Sequence, residues 1–281
     1  MQESQNQIKK YGLLAHPAGH SLSPRMQNAM MKAAGIAARY QAYDLNPEHF
    51  VEEIENLKAG GLVGFNVSTP FKKRVMAELD DLSPLSQKLQ AVNTVAYRNG
   101  RWQGTSTDGD GFWQSLPQSS YKKVVLLGTG GAARAVIASA PEYGVSDLTV
   151  FNRKGKTWQD KVEMIGLLNS QADLEDLANT SGLKNRLAEA DLVVNATSVG
   201  MDNEGSLLDE AMLATLPKEA FVVDMIYRQA QTPLLKLATE AGLSTQNGLP
   251  MLVAQGALSF EYWFGQKADR ELMQKAIEVK R

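Results

Sequence analysis

The sequence predicts two α/β domains with mostly parallel sheets. Apolar segments of strand character alternate with helical segments before residue 110, and the same alternation restarts after residue 122. Strands that follow helices repeatedly in this way usually pair in parallel. A length of 281 residues also suits two domains, because a typical domain has ~100–200 residues.

The first block contains predicted strands, helices and one hairpin. Strands are predicted at residues 11–15, 39–44 and 62–67, and helices at 24–34 and 47–57. Residues 91–97 and 101–104 flank Asn99-Gly100, which is a strong signal for a two-residue hairpin turn. We therefore expect an antiparallel pair at one edge of the first sheet.

The second block opens with a glycine fingerprint between a strand and a helix. The apolar residues 124–127 lead into Gly128, Gly130 and Gly131, and a helix is predicted over 132–140. These glycines allow the backbone to approach a pyrophosphate at the helix N-terminus, as in a Rossmann-type, doubly wound domain. Further strands are predicted at 191–196 and 221–226, helices at 232–241 and from 251, and helices within the poorly periodic segment 155–190.

The end of the second strand of this block bears on the choice of cofactor. An NAD site usually has Asp or Glu there, on the ribose hydroxyl, whereas this chain has Asn152, Arg153 and Lys154. A cation favours NADP, because its 2′-phosphate is anionic. Glycines alone could form an ordinary turn, but strand, glycines, helix and basic terminus agree. NADP is therefore the expected cofactor, and NAD is the alternative.

Composition excludes several classes of protein. The formal net charge is −2 and no basic stripe is present, so nucleic acid and anionic membranes are not expected as partners. With no Cys, disulfides and thiolate catalysis are excluded. His16, His20 and His49 lack metal-ligand spacing, so we expect no metal. No apolar run approaches the ~20 residues that span a bilayer, and a cytoplasmic protein is expected.

Two hydroxyl residues stand ahead of the first helix. Ser21 and Ser23 precede Pro24, a residue that helices tolerate in their first turn, and Ser23 is the expected N-cap. These hydroxyls could form a carboxylate site with the positive helix terminus, or they could only satisfy backbone donors.

A second set of polar residues follows the strand at 62–67. Asn66 and Ser68 share one face by the period of two, and Lys72 is expected to enter a helix. Asn93 supplies an amide, and Asp108 stands between glycines. The alternative interpretation is that Lys72 is a solvated charge and Asp108 a turn or cap residue.

Taken in order, these segments resemble the shikimate dehydrogenase family from about residue 11 to 265. The family patterns H-S-x-S-P, N-V-T-x-P-x-K, A-V-N-T, N-T-D-G-x-G, G-x-G-G-A-x-R-A, N-R, N-A-T-S-x-G-M and D-x-x-Y are similar to residues 20–24, 66–72, 91–94, 106–111, 128–135, 152–153, 195–201 and 224–227. Gly248, Met251-Leu252 and Gln255 resemble the family's G-x-x-M-L-x-x-Q.

The resemblance implies an NADP-dependent, reversible reduction of 3-dehydroshikimate to shikimate. It implies that Lys72 and Asp108 are the catalytic pair, with Lys72 acting either as the proton donor or as an electrostatic clamp. The implied substrate-binding residues are Ser21, Ser23, Asn66, Ser68, Asn93, Tyr227 and Gln255. The implied cofactor-binding residues are Gly128, Gly130, Gly131, Ala132, Asn152, Arg153, Lys154, Thr197 and Gly248.

The same resemblance implies the domain organisation. A substrate-binding domain would comprise residues 1–107 joined by helices from 249–281, and an NADP-binding Rossmann domain would comprise 108–248. The substrate is expected in a cleft between the domains, in a monomer or homodimer. The alternatives are a quinate/shikimate paralogue using NAD or NADP, and a non-catalytic NADP-binding sensor. A glutamyl-tRNA reductase would need a nucleophilic Cys, which this chain lacks.

The chain departs from the family pattern at a few positions. Ser68 stands in place of Thr, Ser106 in place of Asn, Gln229 in place of Pro and Pro250 in place of Gly. Ser68 keeps the hydroxyl, whereas the other three changes affect loops around the expected site. They leave open which pattern of ring hydroxyls is accepted.

Overall fold

The computed structural model describes residues 8–202 and 205–278. The chain divides into two compact units, one formed by residues up to Thr107 together with those from Val253 onward, the other by Asp108–Leu252. We call them the discontinuous unit and the central unit. Residues 1–7 and 279–281 of the domains expected from the sequence lie outside the described part of the chain.

Both units are built from strands and helices in alternation. The strands are β1 (Lys9–Ala15), β2 (Ala38–Asp44), β3 (Leu62–Val67), β4 (Asp81–Leu82), β5 (Thr94–Arg98), β6 (Arg101–Thr105), β7 (Lys123–Leu127), β8 (Asp147–Asn152), β9 (Ala172–Asp176), β10 (Leu192–Asn195), β11 (Phe221–Asp224) and β12 (Ser244–Gln246). The α-helices are α1 (Ser23–Ala33), α2 (Phe50–Ala59), α3 (Pro84–Leu89), α4 (Asp108–Trp113), α5 (Gly131–Ser139), α6 (Trp158–Leu168), α7 (Thr180–Leu187), α8 (Glu210–Leu213), α9 (Pro233–Glu240), α10 (Leu249–Phe264) and α11 (Arg270–Ile277). Short 3-10 helices lie at Arg74–Glu78 and Ala140–Tyr143.

The discontinuous unit contains a mixed sheet in the order β2-β1-β3-β5-β6-β4. Strands β1, β2 and β3 are parallel, and β5 is antiparallel to both β3 and β6. Asn99 and Gly100 have φ of 53° and 78°, as a two-residue hairpin with primed turn geometry requires. The predicted hairpin is confirmed, but it does not lie at the sheet edge, because the two-residue strand β4 pairs with β6 beyond it.

The central unit contains a wholly parallel sheet in the order β12-β11-β10-β7-β8-β9. This is the strand order of a doubly wound Rossmann fold, whose order reverses between β7 and β10. The predicted α/β fold with a Rossmann-type second domain is therefore confirmed.

One strand of the central sheet falls in a segment where only helices were expected. Segment 155–190 contains α6 and α7, but β9 lies between them. Asp173 and Glu175 on this edge strand form ion pairs with Arg186, at 3.2 Å in each case. An edge strand with charged side chains lacks the apolar period that sequence analysis detects.

The helix α10 belongs largely to the discontinuous unit, although it is far from β1 to β6 in sequence. The Nε1 of Trp263 donates a hydrogen bond to the carbonyl of Val95, at 2.8 Å. The Trp263 ring packs on Tyr11 and Tyr40, with centroids 5.1 and 5.9 Å apart. Large aromatic rings bury much apolar area, so this helix completes the core of the unit.

None of the helices in the described part of the chain is long and apolar enough to cross a membrane.

Candidate functional site

The segments that follow β1 and β3 lie side by side at the carboxyl-terminal end of these two parallel strands. The backbone N–H of Ser68 donates to the carbonyl of Leu14 at 2.9 Å, and that of His16 donates to Thr69 at 3.1 Å. The N–H of Val92 donates to the carbonyl of Lys72, at 2.9 Å. The turn that carries Ser68 and Lys72 is thus fixed between the loop after β1 and the start of β5.

Lys72 lies in this turn and not in a helix, so the predicted helical entry was wrong. The helix that follows is a 3-10 helix and begins at Arg74. The carbonyl of Lys72 accepts from the N–H of Val92, which joins this turn to the segment before β5.

Ser21 and Ser23 are close together at the start of α1, but their capping roles differ from the prediction. Ser23 is the first residue of the helix and Leu22 is its N-cap, which makes no side-chain hydrogen bond. The Oγ of Ser21 instead accepts from the N–H of Ser23, at 3.2 Å. Ser21 therefore satisfies a helix-terminal donor from one position further upstream, because the helix begins a residue earlier than expected.

The carboxylate of Asp44 makes hydrogen bonds to the loop that carries these serines. Asp44 Oδ2 accepts from the N–H of Ala18 at 3.2 Å, and Asp44 Oδ1 pairs with His16 Nδ1 at 2.8 Å. The hydrogen bond from His16, followed by that from Ala18, lowers the pKa of the Asp44 carboxyl. The loop between β1 and α1 is thereby anchored to the end of β2.

Asn66 lies in a buried polar network below this end of the sheet. Its Oδ1 accepts from the hydroxyl of Tyr40 at 2.8 Å. Its Nδ2 lies 3.0 Å from the carbonyl of Asn93 and 2.9 Å from Ser259 Oγ. Strand β3 ends at Val67, so this network fixes the end of β3 directly before Ser68.

The amide of Asn93 is oriented by Thr107. Asn93 Oδ1 accepts from the N–H of Thr107 at 2.9 Å, and Nδ2 donates to Thr107 Oγ1 at 3.0 Å. Thr107 Oγ1 is also 3.1 Å from the carbonyl of Gln255, which brings the region of Gln255 on α10 next to Asn93. Because buried polar groups must be hydrogen-bonded, these contacts fix the orientation of the Asn93 amide.

Sequence reasoning missed part of this network. Thr94 Oγ1 also accepts from Asn66 Nδ2, at 3.1 Å. Thr94 and Thr107 fall inside the motif segments at 91–94 and 106–111, which could have indicated them. Tyr40 and Ser259 are far away in sequence, on β2 and α10, and no pattern indicated them.

In the central unit, the glycine fingerprint has the geometry that a dinucleotide requires. Gly128 has φ of 105°, and a Cβ there would lie 2.8 Å from Thr197 Cγ2. Gly130 is the N-cap of α5, which begins at Gly131. A Cβ on Gly131 would meet no atom within 4 Å, so this position borders open space. Gly128 is therefore required by the left-handed backbone conformation of the turn, whereas Gly131 leaves room for a ligand.

A cleft of about 410 Å³ opens beside this turn. It is lined by Gly128, Thr129, Gly130, Phe151, Asn152, Arg153, Leu177, Ala196, Thr197, Ser198, Val199 and Leu207. None of these described lining residues is acidic, and Arg153 brings a positive charge to the end of β8. Lys154 turns elsewhere, with its Nζ 5.8 Å from the centroid of the Trp158 ring. The cleft thus fits a dinucleotide with an additional phosphate.

The remaining predicted residues lie after strands or at the starts of helices in the central unit. A Cβ on Gly248 would overlap the carbonyl of Met225, and the Gly248 N–H donates to Ile226 at 3.0 Å. Tyr227 follows β11, and Asp108 begins α4 with 8% of its surface exposed. Ala132 lies in the first turn of α5.

The described residues 8–202 and 205–278 contain no group of three or more His, Asp or Glu side chains that could hold a metal ion. The doubly wound unit with its basic glycine cleft, joined to an α/β unit with hydroxyl, amide and lysine side chains at one sheet edge, defines a two-domain nicotinamide-nucleotide dehydrogenase.

Comparison with known proteins identifies the family. Residues 13–95 match the shikimate dehydrogenase substrate binding domain, and residues 248–278 match the shikimate 5'-dehydrogenase C-terminal domain. The shikimate dehydrogenase (NADP(+)) of Symbiobacterium thermophilum is 41% identical over 273 residues, which cover 94% of this chain and 92% of that protein. The chain belongs to the shikimate dehydrogenase family.

Solved structures agree over almost the whole chain. The shikimate 5-dehydrogenase of Listeria monocytogenes, in complex with shikimate and NAD, is 32% identical with a TM-score of 0.89 and 99% of each chain covered. The Thermus thermophilus enzyme in complex with NADP(H) and shikimate is 33% identical with a TM-score of 0.83, over 96% of this chain and 98% of that one.

Proposed function

We propose that this protein is an NADP-dependent shikimate dehydrogenase that reversibly reduces 3-dehydroshikimate to shikimate. The observation that carries the proposal is the 41% identity, over 94% of this chain, to a relative with that activity and cofactor. The basic, glycine-lined cleft supports the choice of NADP.

We assign the cofactor to the cleft of the central unit. Gly128, Gly130, Gly131 and Ala132 would cradle the pyrophosphate at the start of α5, where helix N–H groups lack partners within the helix. Asn152 and Arg153 would bind the 2′-phosphate, with Lys154 contributing charge, and Thr197 and Gly248 would border the remainder. When bound, NADP supplies the hydride acceptor for alcohol oxidation and, in its reduced form, the hydride donor for the reverse reaction.

We assign the substrate carboxylate to Ser21 and Ser23. Two hydroxyls at the positive end of α1 favour an anion. Ser68, Asn93, Tyr227 and Gln255 would bind the ring and its hydroxyls, and Asn66 would support Asn93 from below.

We assign Lys72 and Asp108 as the catalytic pair. Reduction of a ketone develops negative charge on oxygen, which must be protonated or stabilised. The Lys72 ammonium can do either, by donating a proton or by acting as an electrostatic clamp, and Asp108 is assigned as its partner in the reaction. Lys72→Arg distinguishes the two roles, since a guanidinium keeps the positive charge but is a far weaker acid: an electrostatic clamp would retain most of kcat, and a proton donor would lose it.

Steady-state kinetics with shikimate and quinate, each with NADP⁺ and with NAD⁺, test the proposal. We expect the highest kcat/KM for shikimate with NADP⁺. A preference for quinate or for NAD⁺ would replace the proposal by the paralogue alternative. No turnover with any of the four pairs, together with NADP⁺ binding, would identify a non-catalytic sensor.

We further propose that the enzyme works in the cytoplasm as a monomer or homodimer, since its assigned ligands are small polar molecules. Size-exclusion chromatography with light scattering gives its mass in solution, and cell fractionation gives its location. A higher oligomer, or recovery in the membrane fraction, would contradict this assignment.

A further inference from the structure

One buried carboxylate has no part in the function proposed so far. Asp108 and Asp224 are the buried charged side chains of the described residues, and Asp224 is 0% exposed. Asp224 ends β11, and its neighbour in the parallel register is Asn195, which ends β10. It therefore lies at the carboxyl end of the strands, where ligands bind in open α/β folds.

Uncharged groups supply three hydrogen bonds to Asp224. Oδ1 accepts from Asn195 Nδ2 and from the N–H of Ile226, each at 3.1 Å. Oδ2 accepts from Thr232 Oγ1 at 2.7 Å. Burial raises the pKa of the Asp224 carboxyl, and these hydrogen bonds act in the opposite direction. A buried carboxylate without a cation is costly, so its presence calls for a role.

The first contact leads into the cofactor cleft. Asn195 Oδ1 accepts from Thr197 Oγ1 at 2.7 Å and from the Thr197 N–H at 3.1 Å. Asn195 Nδ2 also donates to the carbonyl of Val199, at 3.2 Å. Thr197 in turn packs against Gly128. Asp224 thus orients Asn195, and Asn195 holds segment 195–201, of which residues 196–199 line the cleft.

The other two contacts lead to the segment that carries Tyr227. The N–H of Ile226 fixes the chain directly before Tyr227. Thr232 is the N-cap of α9 and accepts from the N–H of Leu235 at 3.4 Å, so its bond to Asp224 fixes the other end of segment 225–232.

A further hydrogen bond joins the two segments at a position where this chain departs from its family. Gln229 Nε2 donates to the carbonyl of Met201, at 2.6 Å. The family usually has Pro at this position, and Pro has no side-chain donor. The two segments are therefore linked at both ends, through Asp224 at the sheet and through Gln229 at the outer turn.

We propose that Asp224 is a positioning residue that fixes segment 195–201 for the cofactor and segment 225–232 for the substrate. This inference rests on the proposed function for the identity of both ligands. Asp224 itself touches neither ligand in this assignment, and it acts through Asn195 and Thr232.

Three variants test the two sides of this arrangement separately. The cofactor arm is the contact of Asp224 with Asn195, and the substrate arm is its contact with Thr232. Asn195→Ala removes the cofactor arm and should raise KM for NADP⁺ by about fivefold or more, the equivalent of one lost hydrogen bond, with KM for shikimate changed less than about twofold. Thr232→Val removes the hydroxyl of the substrate arm and should give the opposite pattern. Asp224→Asn should raise both KM values, because one amide cannot accept from all three donors.

Leu187→Ala is the matched control. Leu187 is fully buried in the core of the central unit, so its truncation lowers stability by cavity formation without touching either segment. We expect a lower Tm and unchanged KM values. If Asp224→Asn behaves in the same way, with a lower Tm and both KM values intact, the positioning role is overturned.

Direct binding separates failure of this inference from failure of the proposed function. If the wild-type protein does not oxidise shikimate, the proposed function fails, and titration with NADP⁺ still tests the cofactor arm. Weaker NADP⁺ binding by Asn195→Ala than by Leu187→Ala then supports that arm, and equal binding overturns it. If Asp224→Asn does not fold, Asn195→Ala and Thr232→Val test the same contacts.

Discussion

At the scale of single residues, Arg153 and Lys154 are adjacent in sequence but differ in surroundings. Arg153 lines the glycine cleft, whereas the Lys154 ammonium lies over the Trp158 ring. A planar guanidinium also suits a phosphate better than an ammonium does, since it can bind two oxygens at once. We therefore expect Arg153 to contribute most of the selectivity for NADP.

Arg153→Ala should weaken NADP⁺ far more than NAD⁺, because only NADP⁺ carries the 2′-phosphate. Hydrogen bonds to charged groups contribute ~1.5–3 kcal/mol, which corresponds to roughly 10- to 100-fold in KM for NADP⁺. Lys154→Ala is the control and should have a smaller effect. Equal losses for the two cofactors in Arg153→Ala would contradict the assignment.

Lys72→Ala should lower kcat by ~10²–10⁴, the usual contribution of one positioned proton donor, with a much smaller change in KM. Asp108→Asn should also lower kcat and should raise KM for shikimate. If the two residues act on one transition state, the double variant will be little worse than the poorer single variant. Single-turnover measurements report the rate of the chemical step without product release. A wild-type rate of this step in Lys72→Ala would refute the mechanism.

At the scale of elements, the start of α1 combines a structural and a ligand-binding role in neighbouring serines. Ser21→Ala and Ser23→Ala should both raise KM for shikimate and leave KM for NADP⁺ nearly unchanged. Only Ser21→Ala should also lower stability, by ~0.5–1.5 kcal/mol, because it removes the acceptor for the Ser23 N–H. Urea unfolding of both variants checks this order, and an unchanged KM in both would leave the serines with a backbone role only.

In the turn between β7 and α5, substitutions at two glycines should affect different properties, stability at Gly128 and cofactor binding at Gly131. Gly128→Ala introduces a Cβ at φ of 105° against Thr197 and should lower Tm. Gly131→Ala places a methyl group in open space at the first position of a helix, so Tm should be maintained while KM for NADP⁺ rises. A stable Gly131→Ala protein with unchanged NADP⁺ affinity would show that this position is not next to the pyrophosphate.

At the scale of the whole molecule, each unit has its own core, and one of them is built from both ends of the chain. Trp263→Ala should destabilise the discontinuous unit by ~3–5 kcal/mol, since it leaves a cavity and removes the hydrogen bond from the indole to the Val95 carbonyl. Hydrogen exchange should then accelerate in β3 but not in β10. Leu187→Ala should give the reverse pattern, and equal acceleration in both strands would mean that the units unfold together.

The sequence contained enough information for the fold class and for most elements, because buried strands and amphipathic helices carry clear periods. It was insufficient for β4, which has two residues, and for β9, whose charged side chains pair with Arg186. The motif segments marked the candidate site, yet Tyr40 and Ser259 were invisible because partners so distant in sequence leave no local pattern. The capping of α1 was also missed, because the helix begins one residue earlier than expected: Leu22 becomes the N-cap, and Ser21 accepts from the N–H of Ser23.

The discontinuous unit also has a consequence for synthesis on the ribosome. Its β-strands are translated first, but α10, which supplies Trp263 to their core, emerges only after the entire central unit Asp108–Leu252. At about 5–20 residues per second, this interval lasts on the order of ten seconds or more. During that time the central unit can fold, while the strands translated before it wait with an incomplete apolar face. Newly made chains should therefore be most dependent on chaperones before translation ends, and a pause placed just upstream of α10 should increase aggregation of the nascent chain.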